Sequence, residues 1–125
     1  MKLAITKKLA AIALIGLFSQ ISLADAASAQ KTIAGIVAGM NHFANDAQKA
    51  QLAAIASDDS SGRGMQMIAT AVGGIQHAAT AEGKASMDQI IGYDGASAEA
   101  KALAKIVMEF NHMASAEAKA ELAKL

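Results

Sequence analysis

The chain has three histidines, His42, His77 and His112, and they stand 35 residues apart each time. Neutral imidazole is a ligand for copper, nickel and zinc, and a methionine thioether serves soft copper as well. There is no cysteine, which excludes thiolate metal centres, disulfide staples and thiol redox motifs and leaves imidazole and thioether as the available ligands. Met108 precedes His112 by four residues, the spacing that puts two side chains on one helix face. Ala38 and Gly73 hold the aligned places in the earlier copies, so a Met–His chelate is not itself repeated. His42, His77, His112 and Met108 are the candidate metal ligands, with copper, nickel or zinc as the candidate ion.

A structural role competes with coordination. Continued at about 100° per residue, a helical wheel puts His42 opposite the apolar stripe centred between Val37 and Met40, and His77 and His112 likewise. Each histidine then ends a helix, where its ring can bond free carbonyls and complement the negative dipole end. Asn41, Gln76 and Asn111, each just before a histidine, are placed to bond across to the next hairpin. Packed helices about 8–10 Å apart are also widely spaced for histidines sharing one ion.

Catalysis has less support. Glu109 and His112 form the Glu-x-x-His spacing of di-iron bundles, but the partners aligned with Glu109 are Gly39 and Gly74. No nucleophile elbow, phosphate loop or zinc-protease helix is present. The expectation is a protein that is not an enzyme and carries no organic cofactor.

The elements that would position the histidines come from the same repeat. Residues 37–55, 72–90 and 107–125 align without a gap at an offset of 35. Met40, Ile75 and Phe110 coincide, as do Leu52, Met87 and Leu122, and Lys49, Lys84 and Lys119. One aligned column, Asn45, Thr80 and Ser115, consists of residues that cap helix N-termini, with Asp46, Glu82 and Glu117 in the turn that follows. Gln48 completes a capping box with Asn45. Ahead of each cap, apolar residues recur at three- and four-residue spacing: Ile33, Ile36, Val37 and Met40 in the first copy. Polar, glycine-containing stretches at 57–62 and 92–97 divide the copies.

The spacing predicts an all-α fold of three tandem 35-residue helical hairpins, six helices in all, over about 27–56, 62–91 and 97–125. They form either a short α-solenoid or a closed helical bundle. The period is near that of tetratricopeptide repeats, whose Trp, Leu-Gly, Tyr and Pro landmarks are missing here.

Residues 1–26 read as a secretory signal: Lys2, Lys7 and Lys8, then the apolar run 9–18, then Ala24-Asp25-Ala26 as an A-x-A cleavage site, with Ala27-Ser28-Ala29 as a second. Residues 27–125 remain as one domain, exported to the periplasm or secreted, with no transmembrane span. Losing Lys2, Lys7, Lys8 and Asp25 leaves 8 basic and 10 acidic residues, a net charge near −2. That argues against nucleic acid and anionic membrane surfaces as partners.

Gly35, Gly39, Gly73 and Gly74 lie on the face assigned to the histidines, although glycine costs about 1 kcal/mol in a helix interior. Close approach of a neighbour explains small residues there: an adjacent hairpin, a protein partner or a second copy of the chain. The first functional expectation is therefore an exported interaction module with those glycines at its contact face. The alternative is a metal-binding protein using the repeated histidines.

Overall fold

The computed structural model describes residues 26–125, so the expected leader lies outside the described residues except for Ala26. Among the described residues there are six α-helices and no strand: α1 (Ala26–Gly39), α2 (Asp46–Ser57), α3 (Arg63–Gly73), α4 (Ala81–Ile91), α5 (Ala98–Glu109) and α6 (Ala116–Leu122). A 3-10 turn over Asp59–Ser61 joins α2 to α3. None of the helices is long and apolar enough to cross a membrane.

The aligned apolar columns become the core. Ile33, Ile68 and Leu103 are fully buried, and so, one turn later, are Val37, Val72 and Val107. Ala34, Ala69 and Ala104 lie between them, also buried, and their small side chains let α1, α3 and α5 pack on one another. Each large apolar side chain taken out of water contributes about 1.5–3 kcal/mol before the entropy of ordering is counted. The other three helices are mostly exposed and add only a narrow stripe: Leu52 and Ile55 from α2, Met87 and Ile90 from α4, Leu122 from α6.

Asn45, Thr80 and Ser115 cap α2, α4 and α6, their side-chain oxygens accepting from the backbone N–H three residues on at 2.8, 2.9 and 3.0 Å. The capping box is complete, with Asn45 N donating to Gln48 Oε1 at 2.9 Å. These caps separate the two helices of each copy, yet the closest helix partnerships run between copies. α2 packs along α3, α4 along α5, and α6 against α1, whereas α1 touches α2, and α5 touches α6, only slightly. In the first and last copies the hairpin expected within the copy is thus the looser contact, with six residues of non-helical chain between its two helices.

The middle copy departs from this, with α4 also packed on α3. Gly83 in the first turn of α4 is buried there, and a Cβ on it would stand 3.5 Å from that of Ala71. The contact of α6 with α1 brings the last helix of the described chain to the first.

Candidate metal centre

The segment between the two helices of each copy is pinned at both ends. Met40, Ile75 and Phe110 are buried, and four residues later so are Ala44, Ala79 and Ala114. The chain between these anchors must rise to the surface and return within three residues. It does so at the histidine. His42, His77 and His112 have φ of 74°, 70° and 67°, and they are the only non-glycine residues with positive φ among the described residues. Phe43 N donates to Asn41 O at 2.9 Å and Met113 N to Asn111 O at 2.7 Å, each closing a three-residue γ-turn of the positive-φ form around a histidine.

The histidines are therefore not helical. α1, α3 and α5 end at Gly39, Gly73 and Glu109, three or four residues earlier. The helical-wheel placement and the ring-to-carbonyl capping role expected from it both fail, because each rests on a helix that has already stopped. The Asn111 side chain also differs from expectation: its Oδ1 lies 2.7 Å from Nδ1 of its own neighbour His112.

The three turns meet. His42 N donates to His112 O at 2.6 Å, His77 N to His42 O at 2.7 Å, and His112 N to His77 O at 2.6 Å. Each histidine thus gives one backbone hydrogen bond and takes one, in a closed ring of three. Above this ring the imidazoles stand edge to face, with centroids 4.8, 5.0 and 5.0 Å apart. One ring nitrogen from each lies within 4.8 Å of the other two. The interhelical spacing that counted against a shared ion does not apply, since the rings project from loops that converge beyond the helix ends.

An ion at the centre of a triangle of that side is no more than about 2.8 Å from each nitrogen, so each ring closes in by about 0.7 Å to reach a Zn–N bond near 2.1 Å. Side-chain torsions supply such a movement without shifting the backbone. His77 and His112 are exposed and His42 is half-buried, so the triad opens to solvent on one side. In the tautomer with Nδ1 of His112 protonated, this contact is a hydrogen bond to Asn111 Oδ1 and leaves Nε2 available to coordinate, as with outer-shell partners of histidine ligands.

The surroundings suit a cation. α1, α3 and α5 all run toward the triad and bring their negative dipole ends to it, and none carries a basic residue in its last turn. Phe43 and Met113, at the position following the histidine, are exposed and form an apolar rim. Lys49 covers the Phe43 ring at 5.9 Å.

The other sequence candidates lie elsewhere. Met108, in the last turn of α5, packs half-buried against the core. Gly35, Gly39 and Gly74 are exposed and Gly73 is half-exposed. A Cβ at Gly35, Gly39 or Gly73 would meet nothing within 4 Å, so packing of an adjacent hairpin does not explain these glycines. The Phe43/Met113 rim was the part of the site without a distinct sequence signal, although it falls in the repeat column that follows the histidine.

No protein-family model, curated protein or solved structure matches the chain.

Proposed function

We propose that this is an exported transition-metal-binding protein, in which His42, His77 and His112 hold one ion of zinc, copper or nickel per chain. On this reading the three 35-residue copies exist to deliver one loop each to a common axis, and the leader directs the domain to the periplasm or outside the cell. The observation that carries it is the backbone at the three histidines. A left-handed residue other than glycine costs about 1–3 kcal/mol, and glycine adopts that conformation without penalty. A purely structural turn would favour glycine in all three places. Instead each has a side chain whose nitrogens meet those of the other two. Three imidazoles with an open fourth position are a common ligand set for zinc.

The test is a titration with Zn(II), Cu(II) and Ni(II) of the purified protein and of a triple His42→Gly, His77→Gly, His112→Gly variant. Glycine suits the turn, so the variant should fold at least as stably as the parent while losing submicromolar binding. Submicromolar binding that survives in the variant would assign the metal to other residues.

A contact surface for a protein partner or a second copy at Gly35, Gly39, Gly73 and Gly74 is a second reading. It is favoured by the open space that a Cβ would meet at three of them. Sedimentation of the parent beside Gly35→Leu tests it, since loss of an associated species in the variant is the expected result.

A further inference from the structure

At the end of the molecule opposite the histidines, where α1, α3 and α5 begin, there is a cavity of about 600 Å³. Its volume lies within the range of small-molecule sites, about 300–1,000 Å³. Met65, Met67, Ile90 and Tyr93 supply much of its wall, and among the described residues no carboxylate lines it and its one charged group is Arg63. Tyr93 lies across Gly95, where a Cβ would stand 2.6 Å from the ring, so Gly95 is needed for that wall to form.

Three polar features on one side of the cavity lack partners. Ser61 is 0% exposed and its Oγ has no hydrogen-bond partner among the described residues, an arrangement that is costly for a buried hydroxyl. α3 starts after Gly62, whose φ is 87°, with no side-chain cap on its first N–H groups. By contrast α2, α4, α5 and α6 are each capped by a side-chain oxygen. Arg63, the first residue of α3, is exposed and makes no ion pair among the described residues.

These features are all donors. An uncapped helix N-terminus favours an anion, a guanidinium takes a carboxylate through two parallel hydrogen bonds, and the Ser61 hydroxyl has a proton to give. We propose that the cavity binds a small amphipathic carboxylate. Its head sits among Arg63, the first N–H groups of α3 and Ser61 Oγ, and its apolar body lies on Met65, Met67, Ile90 and Tyr93. The site is separate from the histidine triad and independent of metal.

Octanoate is a suitable probe, with octan-1-ol carrying the tail alone and acetate the head alone. Titrations of the purified protein are followed through the backbone amide signals of Gly62, Arg63 and Gly64. Octanoate should shift them saturably, with the alcohol and acetate each at least about tenfold weaker, because only octanoate has both head and body. Arg63→Gln, an exposed substitution that leaves the core intact, should weaken octanoate about tenfold and leave the alcohol unchanged. Ser61→Ala should weaken octanoate several-fold without lowering the melting temperature. Equal binding of octanoate and octan-1-ol, full affinity in Arg63→Gln, or no saturable shift with octanoate would each overturn the proposal.

Discussion

The two ends of this molecule are built from the same three helices and follow different rules. Where α1, α3 and α5 end, each copy supplies the same turn, and a closed ring of backbone hydrogen bonds couples the three histidines. Where those helices begin, the connections have diverged. The first is a 3-10 turn with Ser61 buried and Gly62 at the start of α3, whereas the second ends on Ser97, which caps α5 through a 3.0 Å bond from Ala100 N. A ring of three hydrogen bonds demands one backbone conformation from all its members, and that keeps the repeat exact in type at the histidine. No such coupling joins the connections at the other end, and the asymmetry there is what opens a cavity with unmet donors.

That contrast can be broken in graded ways. The largest effect is expected from Leu103→Ala, in the core that both ends share. It should cost about 2–5 kcal/mol in denaturant unfolding and weaken the two ends together. Next, His77→Gly should reduce zinc affinity by more than about a hundredfold, beyond what loss of an outer-shell partner costs. Unchanged octanoate binding in the same variant would show that the two ends are separable. A smaller effect is expected from Asn111→Ala. It should lower zinc affinity about tenfold, by releasing the His112 ring, with no change in melting temperature because the contact is exposed. The smallest is Gly35→Ala, which places a Cβ in open space on a helix. It should raise stability by about 0.5–1 kcal/mol and alter neither end.

Much of the helical frame could be read from the residues. The columns through Ile33, Val37, Asn45 and Leu52 located the buried stripes and the N-caps, since burial and capping are local properties of a helix. The convergence of the histidines could not be read in this way. Met40 and Ala44 are both buried and four residues apart, which is the spacing of a continuing helix, although the chain between them turns through a left-handed residue. Periodicity therefore extended α1 too far and carried His42 to the wrong place. Helix pairing between copies was hidden for a different reason: hydrophobic spacing gives the face a helix buries but not the neighbour it meets, and the pairings of α2 with α3 and α6 with α1 are long-range choices. The one clue at these positions was chemical, the repeated Asn/Gln-His pair.

The most direct test of the central claim is a zinc titration followed by the ring signals of all three histidines, with bound metal counted per chain. A shared three-histidine centre predicts one zinc per chain at saturation, with the signals of His42, His77 and His112 moving together at submicromolar zinc. Three independent shifts, a stoichiometry other than one, or rings that do not respond would contradict it.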